Sequence, residues 1–504
     1  MWDNPLPTQR REILMAQRVR PLWIGGRRVD AVSQQEIIVE NPATATPIGT
    51  VPAGRAEDVD RAVGAARAAF DHWRWVPANE RADLLHEAAA RTFASTEVLV
   101  DGLIREQGKA RPEQEEELEW SANTLRYYAE LARNNRGRVL PSGEPRTQLN
   151  LVLKEPYGVV GTIIPWNFPL LLLAWKLAPA LAAGNTLVIK PSELTPLITL
   201  DWIETCFDHL PPGVVNVVTG TGQEAGEALV AHPDVRVIAM TGSVATGQRI
   251  ATVGAPMMKH LHLELGGKDA FVLAPDATVS ESVEALAYAA LINAGQVCTS
   301  AERVYAPAAL HDELIEVLAD RVAGLRVGDP AEQGIDIGPM AAAPFRDKVD
   351  RHVREAVDRG ATLVTGGRIP DGLDRGYFYA PTVLADVDHD MTIMREETFG
   401  PAIPVMAYDR FDDAIALVND SSMGLGATLR SGDPVLIKRF FEEVKVGTVW
   451  INDPLTDNYA GPFGGMKMTG GGRELGEEGL EAFMETKHVH WDMSPETKDF
   501  WFPY

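Results

Sequence analysis

The stretch NAGQVCTSAER holds Cys298, one of only two cysteines in a chain of 504 residues. A thiol with a pKa of about 8.5 is mostly protonated at neutral pH, but a nearby charge or a bound cofactor can convert it into a nucleophile. Glu264 in LELGGK offers a carboxylate that could take up a proton, and Asn167 in IIPWNFP offers an amide that could stabilise an oxyanion. Each residue type alone is usually structural, so this chemistry requires a fold that brings the three together.

Two further stretches could bind a nucleotide. In TGTGQEAG, Gly220, Gly222 and Gly226 follow a predicted strand and open a helix, so the backbone could approach a phosphate, although the GxGxxxG spacing departs from the usual fingerprint. In VIKPSE, Lys190 could bind ribose hydroxyls, and Glu193 could accept from a 2′-hydroxyl and repel a 2′-phosphate. An ordinary turn or helix cap would explain either stretch as well.

The elements that would position these residues alternate along the chain. Residues 56–135 place apolar side chains three and four apart, which predicts helices with one buried face. From 151 to 264, β-branched runs such as NTLVIK and VRVIAMTG alternate with helical windows, and a second alternating block covers about 269–452. This alternation predicts an α/β fold with parallel sheets covered by helices on both faces.

Composition restricts the class of protein. The chain is 45% hydrophobic and long enough for two or three lobes, and its net charge of −24 disfavours nucleic acid and anionic membranes as partners. Two cysteines cannot form a disulfide framework, so we expect reduced thiols and a cytoplasmic location. The N-terminal stretch lacks an apolar signal core, and the run PLLLLAWKLAPALAAG contains a lysine and two prolines, which favours a buried helix over a membrane span.

Eight motifs in order are together far more specific than any one of them. Through these motifs the chain resembles the NAD(P)-dependent aldehyde dehydrogenase superfamily over nearly its whole length. In chain order they are IIPWNFP, VIKPSE, TGTGQEAG, MTGSVATG, LELGGK, GQVCTSAER, EETFGP and PFGGMKMTGGGRELGEEGL.

The resemblance implies a Rossmann-like cofactor domain, a second α/β catalytic domain and a small β oligomerisation element. The expected NAD-binding domain comprises residues 1–132 and 153–264, and the expected catalytic domain comprises 265–470. Residues 133–152 and 471–504 are expected to form the oligomerisation segment and the C-terminal tail.

For the reaction, the resemblance implies that Cys298 adds to an aldehyde carbonyl and forms a thiohemiacetal. The Asn167 amide and the Cys298 backbone N–H would hold the oxyanion. Loss of hydride to NAD would leave a thioester, and Glu264 would then activate water to release the acid. No metal is expected.

On the cofactor side, Lys190 and Glu193 match ligands of the adenosine ribose, and Glu193 favours NAD over NADP. Nine further residues are expected to contact the rest of the cofactor: Trp166, Gly220, Gly222, Gly226, Gly242, Ser243, Gly266, Glu397 and Phe399. Among these, Ser243 matches a pyrophosphate contact and Glu397 a ligand of the nicotinamide ribose.

The aldehyde would reach the sulfur through a tunnel. By alignment with the family, its lining is expected to be Glu117, Trp120, Phe168, Leu172, Trp175, Ile292, Val297, Thr299, Asp457 and Phe463. Aromatic faces beside the acidic Glu117 and Asp457 suit a cationic group, so we lean towards aminoaldehydes or betaine aldehyde. Ile292 stands where betaine-type relatives often have Trp, and a broad aliphatic or aromatic aldehyde oxidiser remains the alternative.

The resemblance also implies a homodimer or homotetramer. The strand ETKHVHWD and the segment near 133–152 would pair between subunits, and the aromatic tail (Phe500, Trp501, Phe502 and Tyr504) would cover a neighbour's tunnel mouth or simply pack in the interface.

Two other functions compete with this interpretation. In a CoA-acylating dehydrogenase, CoA resolves the thioester in place of water, but such relatives typically lack the glutamate present here as Glu264. A non-catalytic binding protein is disfavoured because Cys298, Asn167, Glu264 and Glu397 are all intact.

Overall fold

The N-terminal part is helical after four short strands. The structure, a computed structural model, describes residues 19–494 and 496–502. The strands are β1 (Leu22–Ile24), β2 (Arg27–Val29), β3 (Glu36–Asn41) and β4 (Thr46–Pro52). The helices are α1 (Ala56–Trp73), α2 (Ala78–Ala94), α3 (Thr96–Glu106) and α4 (Arg111–Asn134). Each helix buries one side, as the spacing of apolar residues predicts.

Strands and helices then alternate to build the first large sheet. The elements are β5 (Arg138–Leu140), β6 (Gln148–Pro156), β7 (Val159–Ile163), α5 (Leu171–Ala183), β8 (Thr186–Lys190), α6 (Pro196–Cys206), β9 (Val215–Val217), α7 (Glu227–Ala231), β10 (Val235–Gly242), α8 (Val244–Gly254) and β11 (His260–Leu265). The sheet order is β11-β10-β7-β8-β9-β1-β2, parallel from β11 to β9 and antiparallel at β1 and β2.

The second large sheet follows from the later part of the chain. Its elements are β12 (Asp269–Leu273), α9 (Val279–Leu291), β13 (Ala301–Pro307), α10 (Ala308–Ala323), α11 (Ala343–Asp358), β14 (Thr362–Thr365), β15 (Thr382–Ala385), α12 (Thr392–Arg395), β16 (Ala402–Tyr408), α13 (Phe411–Asn419), β17 (Met423–Gly424), β18 (Gly426–Arg430), α14 (Pro434–Glu443) and β19 (Thr448–Ile451). The order is β14-β15-β16-β13-β12-β18-β19, with an antiparallel pair only at β14 and β15.

The chain ends with β20 (Met466–Lys467), α15 (Gly476–Glu481) and β21 (Met484–Asp492). β21 runs antiparallel to β6, which in turn pairs with β5, so the two segments predicted to form the oligomerisation element meet in one three-stranded sheet. The domain boundaries given above stay predictions, and residues 1–18 of the first segment lie outside the described residues.

Registers in the first sheet bring several strand ends to one edge. Ile163 at the end of β7 lies opposite Lys190 on β8 and Met240 on β10, and Thr241 lies opposite Glu264 on β11. The apolar run predicted to be a buried helix forms α5, which packs beneath this edge with nearly every side chain buried. Among the described residues, no helix has the length and apolar character needed to cross a membrane.

Candidate active site

The segment that carries Cys298 has an unusual backbone. After α9, Asn293 and Ala294 adopt left-handed φ values of 53° and 52°, and Gly295 follows at 71°. A Cβ on Gly295 would stand 2.3 Å from the Gly400 carbonyl oxygen, so glycine is required there. Backbone conformations of this kind are costly and gather at functional sites. The small residues before Cys298 therefore allow the strained turn that positions the thiol. Cys298 itself is only partly buried.

Asn167 is anchored beside this turn. Its Nδ2 donates to the Gln296 backbone oxygen at 3.0 Å, while Asn293 Nδ2 donates to the Asn167 backbone oxygen at 3.1 Å. The amide nitrogen of Asn167 carries two hydrogens, and the bond to Gln296 uses one of them. The second hydrogen is left to donate to an oxygen bound at Cys298, and such a donor would stabilise an oxyanion there.

Two cavities meet at the thiol. One is an apolar tunnel of about 760 Å³, and the other is a cleft of about 740 Å³ at the carboxyl edge of the first sheet. Only Cys298 and Asn167 line both of them among the described residues. A carbonyl carbon arriving through the tunnel and a group bound in the cleft would thus reach the sulfur from two sides.

The tunnel contains every residue that the family alignment places there. Its walls include Glu117, Trp120, Phe168, Leu172, Trp175, Ile292, Val297, Thr299, Asp457 and Phe463. Five further residues were not predicted: Glu113, Glu116, Leu171, Tyr288 and Leu455. Two of these could have been found from helical spacing, because Glu113 and Glu116 lie one turn before Glu117 and Trp120 on the same face of α4.

The structure corrects the expected role of Glu117. Its carboxylate forms a buried ion pair with the Lys109 ammonium and also accepts backbone N–H groups of Leu170 and Leu171 at the start of α5. Lys109 Nζ also lies 3.6 Å from the centre of the Phe168 ring. The chain's own ammonium therefore occupies both the carboxylate and the aromatic face that were expected to attract a cationic substrate.

Asp457 is the acidic tunnel residue that lacks such a counter-ion. It has no ion pair or hydrogen bond to any described residue, and burial raises its pKa to about 7. Burial likewise raises the pKa of Glu113 to about 7, but Glu113 accepts the Asn293 backbone N–H at 3.0 Å and feels Lys109. Negative charge available to a ligand in the tunnel is thus concentrated at Asp457 and, nearer the solvent, at the exposed Glu116.

The cleft on the other side of Cys298 is lined by six of the residues expected to bind the cofactor. These are Trp166, Gly242, Ser243, Gly266, Glu397 and Phe399. Ser243 begins α8, where it accepts the Thr246 N–H at 3.3 Å. The positive end of helix α8 therefore faces the cleft, where it would favour binding of a phosphate group. Lys348, which was not predicted, adds a positive charge to the lining.

The aromatic and acidic groups of this cleft fit a nicotinamide nucleotide. Trp166 stacks on Phe345 with centroids 4.8 Å apart and meets Phe399 edge-on at 5.5 Å, which makes a flat apolar wall. A Cβ on Gly266 would come within 2.6 Å of a Glu397 carboxylate oxygen, so the glycine leaves room for that acceptor. Burial raises the pKa of Glu397 to about 7, and the nearby Glu302 charge adds to the effect.

The remaining cofactor residues lie further along the same edge. Lys190 and Glu193 form an ion pair at 3.2 Å, and Glu193 Oε1 accepts the Gly222 N–H at 2.6 Å. Gly222 and Gly226 line a smaller adjoining cavity. Gly220 lines none of the described cavities: a Cβ there would stand 2.6 Å from the Gly54 carbonyl oxygen, so packing between loops explains this glycine.

The free thiol is not activated by its protein surroundings. Burial raises the pKa of Cys298 above its ordinary range, and the charges of Asp269 and Glu397 raise it further. A group that carries positive charge into the cleft would act in the opposite direction. We therefore expect a higher thiolate fraction at Cys298 when such a group fills the cleft.

The Glu264 carboxylate is turned away from both cavities. Its Oε1 lies 2.8 Å from the position of a Cβ on Gly464 and 3.0 Å from that of one on Gly472, and neither carboxylate oxygen has a partner among the described residues. Burial raises the pKa of Glu264 well above its usual range, and the Glu474 charge raises it further. Gly464 and Gly472 leave room for the carboxylate in this position, and action on a water at Cys298 would require rotation of the side chain.

Comparisons with known proteins agree with the aldehyde dehydrogenase resemblance of the sequence motifs. Residues 29–489 match the Aldehyde dehydrogenase family. The chain is 36% identical to betaine aldehyde dehydrogenase of Bacillus subtilis (strain 168), covering 95% of this chain and 99% of that protein, and 37% identical to peroxisomal aminoaldehyde dehydrogenase 2 of Pisum sativum, covering 99% of both.

The fold agrees with solved structures as well. Betaine aldehyde dehydrogenase from Staphylococcus aureus, solved in complex with NAD⁺, superimposes with a TM-score of 0.94 at 34% identity, over 97% of this chain and 98% of that one. These relatives cover between 95% and 99% of this chain. The chain belongs to the aldehyde dehydrogenase family, whose members are NAD(P)-dependent oxidoreductases that act on aldehydes.

Proposed function

We propose that this chain oxidises aldehydes that carry a cationic group, with NAD as the hydride acceptor, and releases the carboxylic acid. The observation that carries the proposal is the position of Cys298 and Asn167 at the junction of the tunnel and the cleft. The tunnel supports the choice of substrate and the cleft supports the choice of cofactor. The relatives named as betaine aldehyde and aminoaldehyde dehydrogenases support the same substrate class.

In the first step, the Cys298 thiol releases its proton to solvent water, and the sulfur of the resulting thiolate bonds to the aldehyde carbon. The carbonyl π electrons move to oxygen, which accepts hydrogen bonds from the free Asn167 N–H and from the Cys298 backbone N–H. Collapse of this thiohemiacetal reforms the C=O bond and expels the aldehyde hydrogen with its electron pair, leaving a thioester on Cys298. When bound in the cleft, NAD supplies the acceptor for that hydride.

In the second step, Glu264 takes a proton from water as the water oxygen bonds to the thioester carbon. The C–S bond then breaks, and the electron pair returns to the Cys298 sulfur as the acid leaves. Glu264 lines neither cavity in this structure, so its carboxylate must turn towards the thioester for this step. Its raised pKa makes the carboxylate a stronger base than an exposed glutamate once it is ionised.

The cationic end of the substrate would be bound by Asp457. This carboxylate lines the tunnel without a counter-ion among the described residues, and the aromatic rings of Trp175 and Phe463, with centroids 5.0 Å apart, line the same tunnel. Charge attraction and cation–π contacts would therefore act together on an ammonium or trimethylammonium group. Glu116 at the solvent side would attract the cation into the tunnel.

The small sheet of β5, β6 and β21 would join chains into a dimer or a tetramer. β5 is exposed along its length, with Val139 70% exposed, so it can pair with a further strand. In the tail, Phe500 and Phe502 are exposed in the single chain and would find cover in such an assembly, whereas Tyr504 lies outside the described residues. Both cysteines are free thiols, which supports a cytoplasmic location.

A panel of aldehydes tests the proposal. The purified chain is given NAD with betaine aldehyde, 4-aminobutanal, propanal or benzaldehyde, and NADH and the carboxylic acid are both measured. We expect higher kcat/KM for the two cationic aldehydes and no NADH from the Cys298→Ser variant. Equal kcat/KM for all four would contradict the substrate class, and no NADH from any of them would contradict the proposed reaction.

A further inference from the structure

We propose that Glu302 is a positioning residue for hydride transfer: its carboxylate fixes the loop that presents Glu397 and Phe399 to the nicotinamide half of NAD. This role rests on the proposed function, because it concerns the cofactor that would accept the hydride. Glu302 stands in the same motif as Cys298, but the resemblance assigned it no part in the reaction, and it lines neither cavity.

The Glu302 carboxylate accepts both backbone N–H groups that follow Glu397. Its Oε2 accepts the Thr398 N–H at 2.7 Å, and its Oε1 accepts the Phe399 N–H at 2.6 Å. Glu302 and Thr398 are each at most 3% exposed, so water competes little for these bonds. Hydrogen bonds to a carboxylate are among the stronger ones in proteins. One side chain therefore holds two consecutive peptide groups of the loop.

The loop needs such support because its backbone is strained. Phe399 has a left-handed φ of 56°, which is costly for a bulky side chain. Its ring lines the cleft and meets Trp166 edge-on, with centroids 5.5 Å apart. Without an acceptor for its N–H, Phe399 would relax to a negative φ and carry its ring away from this wall. The Glu302 carboxylate thus stabilises the conformation that faces the cofactor.

Glu302 is itself held by a buried lysine. Lys268 Nζ donates to Glu302 Oε2 at 2.6 Å and lies 3.4 Å from Thr398 Oγ1. Glu302 is the second residue of β13, Lys268 directly precedes β12, and the two strands pair in parallel. The ion pair therefore anchors the loop to the first residues of two central strands in the second sheet.

The same strand ends also carry the reacting groups. Glu302 follows Cys298 by four residues, and Lys268 follows Gly267, whose N–H donates to Glu397 Oε1 at 3.1 Å. The sulfur, the ribose ligand and the anchor of the loop thus share one short region of backbone. Because transfer between two bound groups depends steeply on their separation and angle, an anchor at this place would set the distance over which the hydride moves.

The other polar groups around the loop do not replace this anchor. His352 Nδ1 lies 3.2 Å from Thr398 Oγ1, so it contacts a side chain and not the strained backbone. Arg303 directs its guanidinium to backbone oxygens, including those of Lys268 and Leu417. Neither residue accepts the two backbone N–H groups that Glu302 accepts.

The charge of Glu302 does not explain its usefulness. Burial and then the Glu302 charge raise the pKa of Glu397 to about 7, while the Lys348 and Lys268 charges act in the opposite direction. Removal of the Glu302 charge would therefore favour ionisation of Glu397, which would strengthen it as an acceptor for ribose hydroxyls. A loss of NAD affinity in a variant without this charge would thus come from the lost hydrogen bonds.

The first test uses Glu302→Gln, which keeps the shape of the side chain but sets an NH₂ group against one of the two backbone N–H groups. The Kd values of NAD and of ADP are measured by calorimetry at about pH 8.5, where Glu397 is ionised in both proteins. ADP shares the adenosine and both phosphates with NAD but lacks the nicotinamide riboside. We expect the Kd of NAD to rise about tenfold, the Kd of ADP to stay unchanged, and the first NADH turnover to slow by about tenfold.

Glu106→Gln is the matched control. Glu106 is an equally buried glutamate that accepts two consecutive backbone N–H groups, those of Leu197 at 2.7 Å and Ile198 at 2.6 Å. The ratio of the Kd of NAD to the Kd of ADP should not change in this variant. An unchanged ratio in Glu302→Gln, or an equal rise in both variants, would overturn the inference. An unaltered chain that binds NAD but forms no NADH would instead overturn the proposed function.

Two further measurements cover the case in which Glu302→Gln does not fold. The double variant Lys268→Met/Glu302→Gln removes both members of the ion pair and leaves neither charge buried alone, and it should show the same rise in the ratio. In the unaltered chain without NAD, the Thr398 and Phe399 amides should exchange slowly with deuterium, as read from a peptide that covers residues 396–401. Exchange of both amides at the rate of an unfolded peptide, or an unchanged ratio in the double variant, would contradict an anchored loop.

Discussion

Lys109 holds its ammonium group 3.6 Å from the centre of the Phe168 ring, inside the wall of the substrate tunnel. The same ammonium pairs with Glu117 and donates to the Asn167 backbone oxygen at 2.9 Å. A built-in cation therefore fixes the backbone of the oxyanion-binding residue and uses up one acidic site of the tunnel. Under the proposed function, selectivity for a cationic aldehyde would then depend on Asp457.

Replacing Asp457 with Asn should raise KM for betaine aldehyde by about tenfold, which corresponds to about 1.4 kcal/mol, because the substrate loses its countercharge. KM for propanal should stay unchanged. Burial raises the pKa of Asp457 to about 7, so the carboxyl is neutral below that pH and charged above it. The ratio of kcat/KM for betaine aldehyde over propanal should therefore rise with pH through about 7 in the unaltered chain and stay flat in the variant.

The exposed Asp453 provides the control for this prediction, because it lies in the same loop and has the same charge. Asp453→Asn should leave the ratio and its pH dependence intact. If both variants lowered the ratio equally, overall charge and not a tunnel site would account for the preference.

Replacing Asn167 with Ala should reduce kcat by about 10²–10³-fold, or about 2.7–4 kcal/mol, because the oxyanion loses one of its two donors. The Gln296 backbone oxygen also loses the hydrogen bond that orients the turn before Cys298. Rapid-mixing measurement of the first NADH turnover tests this directly. A rate within threefold of the parent, on the order of the scatter between preparations, would remove Asn167 from the mechanism.

The sequence alone predicted which residues would meet but not how their charges would be shared. Every residue expected in the tunnel lines it, and six of those expected at the cofactor line the cleft. Trp166, Ser243 and Gly266 reach the cleft because each follows a strand whose carboxyl end lies at one edge of a parallel sheet, whereas the tunnel also takes side chains from helices α4 and α5. The ion pair of Lys109 with Glu117 joins residues eight positions apart, across the break before α4, and no local pattern indicates it.

The orientation of the Glu264 side chain could not be predicted from the sequence either. Its place on β11 follows from the alternating pattern, but the direction of its carboxylate depends on the space left by Gly464 and Gly472, in a loop some 200 residues later. For Gly220, the sequence suggested a role that the structure does not require. Its place in a glycine-rich turn favoured phosphate binding, but close contact with the Gly54 carbonyl oxygen already explains why a glycine stands there.

Cys298 should react slowly with iodoacetamide in the absence of NAD, and the rate should keep rising as the pH increases above neutrality. The reason is that burial and then the charges of Asp269 and Glu397 raise the pKa of the thiol, so the thiolate fraction is small at neutral pH. Peptide mapping assigns the reaction, since Cys206 is fully buried and burial raises its pKa to about 12. A rate that reached a plateau below pH about 8 would indicate a thiol that is already activated.

Replacing Glu193 with Gln should shift cofactor preference towards NADP. The proposed role of the carboxylate is to repel a 2′-phosphate, and the amide removes that charge while its oxygen can still accept the Gly222 N–H. We expect the kcat/KM ratio of NADP to NAD to rise by about tenfold, or about 1.4 kcal/mol. Glu224→Gln, an exposed neighbour in the glycine-rich turn, is the control and should leave the ratio unchanged.

Replacing Gly295 with Ala should abolish NADH formation and lower Tm. The residue has a φ of 71°, and the added Cβ would stand 2.3 Å from the Gly400 carbonyl oxygen, so the turn must move and carry Cys298 with it. Alanine at a positive φ already destabilises by more than about 1 kcal/mol before the clash is counted. Gly360→Ala separates the two effects, because that glycine also has a positive φ, 106°, but nothing lies within 4 Å of an added Cβ. The control should lose stability and keep activity, whereas an active Gly295→Ala enzyme would show that the strained turn does not set the position of the thiol.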